Sequence, residues 1–198
     1  MNKKIVVAAL AAIGLMAASA VQAQGLVVRA RAFNIHFANG QNTLPVSVEA
    51  QDKTVPTVDL SWFFTPNIAA ELTLTYPQNI DINVAGAKAG TVKALPPQLV
   101  LQYHFTNMGQ FKPYLGAGIN YTIFTKRNNI LAGAAEIDRT SLGGVLNAGF
   151  DYMIDKNWMF NIDVKYHQIS TDVRVAGAKI GKLDLHPTSF AVGLGYKF

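Results

Sequence analysis

The chain has 198 residues, half of them apolar and only 15% charged, a balance that excludes a disordered chain and argues against a solvated helical bundle. With no cysteine, disulfide scaffolds, thiolate zinc sites, iron–sulfur clusters and cysteine nucleophiles are all ruled out. The formal charge of +5 includes two lysines of an N-terminal segment, and the other basic residues are scattered, so no phosphate-binding footprint and no nucleic-acid partner are expected.

That segment opens the chain. Lys3 and Lys4 precede an uncharged stretch over residues 5–18, and Val21-Gln22-Ala23 carries the residue sizes a signal peptidase reads. Residues 1–23 are expected to be an export signal removed after Ala23, and residues 24–198 a single exported domain. The apolar stretch is shorter than the roughly 20 residues a spanning helix requires, and no later stretch reaches that length without a charge or a polar break.

Beyond Gln24, apolar and polar residues alternate at period two, the spacing of strands with two chemically different faces. Eight strands are predicted, over residues 26–37, 55–64, 68–76, 95–105, 111–124, 141–153, 158–169 and 188–198. In the second, Val58, Leu60, Trp62 and Phe64 oppose Thr57, Asp59 and Ser61. In the fourth, Leu99, Leu101, Tyr103 and Phe105 oppose Gln98, Gln102 and His104. In the seventh, Trp158, Phe160, Ile162, Val164 and Tyr166 oppose Asn161, Asp163, Lys165 and His167. No charged residue falls on an apolar face. A water-facing sheet tolerates such exceptions, whereas a Lys or Arg facing lipid at the bilayer midplane costs about 2–4 kcal/mol.

The connections alternate in length: residues 65–67, 106–110 and 154–157 make tight turns, whereas 38–54, 77–94, 125–140 and 170–187 are long. Aromatic residues such as Trp62, Tyr76, Tyr121, Trp158, Tyr166, Tyr196 and Phe198 gather at strand ends. Both are marks of a bacterial outer-membrane barrel. The expected fold is all-β, an eight-stranded antiparallel transmembrane β-barrel in the outer membrane of a Gram-negative cell, in contact with its lipid and lipopolysaccharide. A periplasmic sandwich is the alternative, and it would have to hide its edges. Within the long loops, Val84-Ala-Gly-Ala-Lys-Ala-Gly90 and Val175-Ala-Gly-Ala-Lys-Ile-Gly181 echo one another and read as matching hairpin tips that project outward.

Several motifs together resemble a known family: Leu95-Pro96-Pro97, Lys112-Pro-Tyr-Leu-Gly-Ala-Gly-Ile-Asn-Tyr-Thr122, Gly149-Phe-Asp-Tyr152, Asn157-Trp158 and Thr171-Asp-Val-Arg174. They are similar to the outer-membrane protein W (OmpW) family, whose alkane-uptake relatives include AlkL, and they run in the same order over the whole mature chain. The resemblance implies a monomeric barrel with a narrow hydrophobic lumen, porin-like entry of small hydrophobic molecules, and in some members colicin reception. The loops after the first and third strands are shorter here, which bears on any receptor role carried by loops.

The interior can be read from the residues themselves. With the N-terminus in the periplasm, Arg29, Arg31, Asp59, Glu71, Asp151, Asp163 and Lys165, with Gln102, fall in the lower barrel, where they are expected to pair into a polar plug; an ion or proton pathway is the alternative. Above them Phe33, Ile35 and Phe124 break the polar-in rule and make an upper hydrophobic lumen, unless a bulge or register shift turns Phe33 and Ile35 to lipid. Pro96 and Pro97 bring no amide protons, so with Leu95 they mark either a lateral opening in the wall or the end of a loop.

Other chemistry is weakly signalled. His36, His104, His167 and His186 lack ligand-like spacing, so no metal and no cofactor are expected. Ser141, Ser170 and Ser189 show no His and acid partners at known spacing, and no enzyme activity is expected. A lipid enzyme would need His36 or His186 to meet a serine and an acid. Two functions lead: passive uptake of small hydrophobic molecules with lateral release into the bilayer, or a surface receptor or structural envelope protein that binds colicin, phage or a host ligand over a sealed lumen.

Overall fold

The computed structural model describes residues 25–38, 47–126 and 130–198; the expected export signal, residues 1–23, lies outside them. The described residues form β1 (Leu26–His36), β2 (Val48–Ala50), β3 (Lys53–Phe63), β4 (Ile68–Leu74), β5 (Gln78–Val84), β6 (Ala87–Leu95) and β7 (Gln98–His104). There follow β8 (Phe111–Phe124), β9 (Ala135–Ile137), β10 (Thr140–Met153), β11 (Trp158–His167), β12 (Ser170–Val175), β13 (Ala178–Asp184) and β14 (Thr188–Lys197).

Eight of these close a barrel. In ring order they are β1, β3, β4, β7, β8, β10, β11 and β14, with β14 returning to β1 and every neighbour antiparallel. Each stave is paired with a neighbour on both sides, which is how a sheet satisfies its backbone groups in lipid. The two-faced pattern becomes inside and outside: Leu101, Leu115, Leu146 and Leu194 are exposed, while Thr57, Gln102, Asn161 and Ser189 are buried. Inward glycines let adjacent strands approach closely, since a Cβ at Gly118 or Gly193 would run into the carbonyl oxygen of Leu99 or Ala30.

The eight predicted strands are these eight staves, with trimmed ends. The third stops at Leu74 and the fourth begins at Gln98, because Pro77, Pro96 and Pro97 interrupt the ladder there. Among the described residues the long connections hold six further short strands: β5, β6, β12 and β13 are the arms of the two expected hairpins, whereas β2 and β9 were not foreseen. The two echoing tips are hairpin turns, β5 to β6 through Ala85 and Gly86 (φ 50° and 79°) and β12 to β13 through Ala176 and Gly177 (φ 50° and 81°). Positive φ at both central residues is the turn that matches strand twist. β2 pairs with β5 and β9 with β12, so the wall continues past the staves at the end remote from the tight turns.

Candidate functional site

Among the described residues, seven charged side chains cross the lower bore: Arg29 and Arg31 from β1, Asp59 from β3, Glu71 from β4, Asp151 from β10, and Asp163 and Lys165 from β11, all buried. Arg29 forks onto Asp151 through Nε (3.0 Å) and Nη2 (2.6 Å), while its Nη1 donates to Ser61 (2.6 Å) and Glu71 (3.4 Å). Arg31 lies 2.6 Å from Asp59, 3.4 Å from Glu71 and 3.6 Å from Asp163. Lys165 lies 2.7 Å from Glu71 and 2.9 Å from Asp163. Tyr114 and Asn147 each donate to Asp163 at 2.9 Å. Charges out of water persist only when paired and hydrogen-bonded, and here every cation touches at least two carboxylates. Gln102, also buried, meets His104 at 3.1 Å and none of the charges.

Above this layer apolar side chains predominate, with buried polar groups such as Gln98, Thr122 and His167 among them. β1 pairs with β3 and β14 in unbroken register, which keeps Phe33 on the inner face, where it packs with Val55, Ala191 and Ile35. A cavity of about 40 Å³ opens there, lined among others by Phe33, Ile35, Phe124, Pro96 and Ile169. A second, of about 60 Å³, lies among Val92, Ile137, Val173 and Leu183 of the extension, and the two share Ile80, Phe124 and Leu185. The three apolar residues expected inside the barrel thus border one space.

The prolines leave a one-sided break in the wall. Toward β8 it stays closed: Leu95 pairs with Ile123, the Pro97 carbonyl accepts from the Tyr121 amide (3.0 Å), and Gln98 pairs with Asn120. On the other side the β4–β7 ladder ends at Thr73 and Gln98, and the β5–β6 ladder resumes only at Gln78 and Ala94. Between them residues 74–77 face residues 95–97 with no strand pair. Pro96 borders the lower cavity, while Leu95 and Pro97 flank it in the chain, all three half-buried.

The OmpW family model matches residues 21–198. The chain belongs to the OmpW family. The uncharacterized outer-membrane protein y4mB of Sinorhizobium fredii is 43% identical over 74% of this chain and 67% of its own length. Outer membrane protein W of Escherichia coli is 31% identical over 99% of this chain and 100% of its own. The crystal structure of OprG from Pseudomonas aeruginosa superposes with a TM-score of 0.74 at 25% identity, covering 89% of this chain and 97% of that one. This OmpW-family chain is therefore an outer-membrane protein, and its family and fold are those of outer-membrane barrels.

Two residue groups in this OmpW-family barrel escaped the sequence reading. Ser189 does meet a histidine: its Oγ lies 2.9 Å from His167 Nε2, because both point inward from the adjacent strands β14 and β11. His167 Nδ1 has no partner, so the pair lacks the acid that orients a catalytic histidine. His36 instead contacts Asp52 at an exposed strand end, and Ser141 accepts from the Ser170 amide. Gln78 was also missed, being hidden in a loop-like stretch. It is buried at the break, where its Nε2 donates to the Tyr76 carbonyl (2.8 Å) and to Thr75 (3.3 Å) in place of a ladder partner.

Proposed function

We propose that this barrel admits small hydrophobic molecules passively from outside and releases them sideways into the bilayer. The observation that carries the reading is two contiguous apolar cavities standing on a fully paired charged layer. Each Å² of apolar surface removed from water is worth about 25 cal/mol, so the cavities attract such a solute. The charged layer offers nothing to replace that gain, and further descent is uphill. The break between residues 74–77 and 95–97 lies beside the lower cavity, and exposed Tyr76 and Tyr121 flank it, an aromatic setting that fits the membrane interface.

A relative supports the solute class. PahQ of Pseudomonas aeruginosa, whose name places it in a dibenzothiophene metabolism operon, is 27% identical over 79% of this chain and 78% of its own. The test is uptake of a labelled aromatic hydrocarbon by cells lacking their own OmpW-family protein and complemented with wild type or Phe124→Asp at matched expression. Wild type is expected to accelerate uptake and Phe124→Asp to abolish the gain. No advantage over the empty strain overturns the reading in favour of a receptor or structural role.

A further inference from the structure

The lower cavity is apolar in outline but not in every atom. Three of its lining residues, Gln78, Gln98 and His167, are almost wholly buried, and each holds a polar atom with no hydrogen-bond partner: Gln78 Oε1, Gln98 Oε1 and His167 Nδ1. The surrounding bonds fix what the first of these atoms wants. Gln78 Nε2 donates to the Tyr76 carbonyl, which leaves Oε1 as the acceptor end of the amide. His167 Nε2 lies 2.9 Å from Ser189 Oγ, and the ring proton can sit on either nitrogen, so Nδ1 meets the cavity as an acceptor in one tautomer and as a donor in the other. A buried acceptor without a donor is costly, and most native examples have a function or a hidden partner.

We propose that the lower cavity is a binding site for small hydroxylated hydrocarbons, phenols and short alkanols, whose O–H is accepted by Gln78 Oε1 or Gln98 Oε1, with His167 Nδ1 able to pair with the same hydroxyl in either tautomer, since a hydroxyl both donates and accepts. This deepens the uptake reading and rests on it. The apolar lining takes the ring or alkyl part, and the acceptors take the one proton the ligand carries. Ethers, ketones and carboxylate anions bring no such proton and gain nothing. A bare hydrocarbon fits the walls but leaves the acceptors unpaired. The site also lies beside the wall break, since Gln78 and Gln98 close the two ladders that bound it.

The test uses an isosteric pair, 4-fluorophenol and 4-fluorotoluene, titrated by ¹⁹F NMR into the purified barrel in lipid nanodiscs, with empty nanodiscs subtracted for partitioning. Wild type is expected to bind the phenol about tenfold more tightly than the toluene, the ratio one added hydrogen bond supports. Gln78→Met and His167→Phe, checked for folding by mobility on unboiled gels, should each weaken the phenol severalfold and leave the toluene unchanged or tighter. Equal affinity of wild type for the two probes overturns this proposal alone, without touching the uptake reading. Absence of binding by either probe overturns both. The wild-type comparison decides the matter even if neither variant folds.

Discussion

Lys165 and Glu71 stand on β11 and β4, four staves apart in a ring of eight, and their side chains meet at 2.7 Å across the diameter of the bore with neither exposed. Removing one partner strands the other charge in the interior. Glu71→Gln or Lys165→Met is expected to cost about 3–5 kcal/mol. By contrast Lys88→Ala, which breaks a solvent-screened pair with Asp81 on the β5–β6 hairpin, should barely move the midpoint. Urea midpoints on unboiled gels measure both. The double variant at 71 and 165 should lose less than the sum of its singles. Equal midpoints for Lys165→Met and Lys88→Ala would show that the layer does not act as one network.

The same crossing has an electrical consequence. Arg29, Arg31 and Lys165 reach between strands and fill the narrow bore, so wild type in a planar bilayer should pass ions barely above background. Glu71→Ala combined with Lys165→Ala removes the diametric link and should raise conductance. A high wild-type conductance would make the layer an ion path.

Exposure alone does not decide the cost of a charge; depth does. Leu101 in mid-β7 and Met108 in the turn after it are exposed to nearly the same extent, 58% and 56%. Leu101→Arg places a cation in the hydrocarbon and should cost about 2–4 kcal/mol, enough to block assembly, while Met108→Arg should insert normally. Equal yields of folded protein in outer-membrane fractions would contradict a bilayer around β7.

How much of this was legible beforehand follows from what a strand advertises. Leu99, Leu101 and Tyr103 against Gln98, Gln102 and His104 alternate because lipid and interior impose opposite demands on successive residues, so all eight staves could be read. An expected depth followed too, with Arg29, Arg31 and Glu71 in the lower barrel and Lys165 just above them. What stayed hidden depends on which strands are neighbours. The Ser189 to His167 contact joins residues 22 apart, and it exists only because β14 packs against β11. Gln78 gave no signal, since its role is to replace a backbone partner that Pro77 and Pro96 withhold. The short strands β2 and β9 have 3 residues each, too few for alternation to be seen.

A pH effect is expected at a turn. Asp155, between β10 and β11, accepts the Trp158 amide (2.7 Å) and the Asn157 amide (2.8 Å), and these bonds hold its carboxyl below the ordinary value of 3.8. A depressed value stabilises the fold above the unfolded value and loses that contribution as pH falls through the folded one. Asp155→Asn should therefore lower the urea midpoint at neutral pH, and its gap to wild type should hold down to about pH 5 and narrow as the pH falls below the ordinary carboxyl value of 3.8. A gap unchanged into that acid range would mean that the ionised form is not what the turn holds.

The wall break makes the most specific prediction about release. Pro77 and Pro96 stand on the two facing segments, and neither brings an amide proton. Pro77→Val with Pro96→Val supplies a donor on each side, letting the β4–β7 and β5–β6 ladders grow toward one another from Thr73–Gln98 and Gln78–Ala94. Capture should largely survive, because Pro96→Val keeps an apolar side chain in the cavity wall and Phe33, Ile35 and Phe124 are untouched; delivery should slow, because the exit is stitched. Affinity for 4-fluorotoluene in nanodiscs reads the first, and cellular uptake of a labelled aromatic hydrocarbon reads the second. Unchanged affinity with slower uptake supports sideways release. If uptake is unchanged in this variant but falls when Thr73, just below the break, is replaced by Phe, the solute descends through the bore, and the charged layer must open to let it pass.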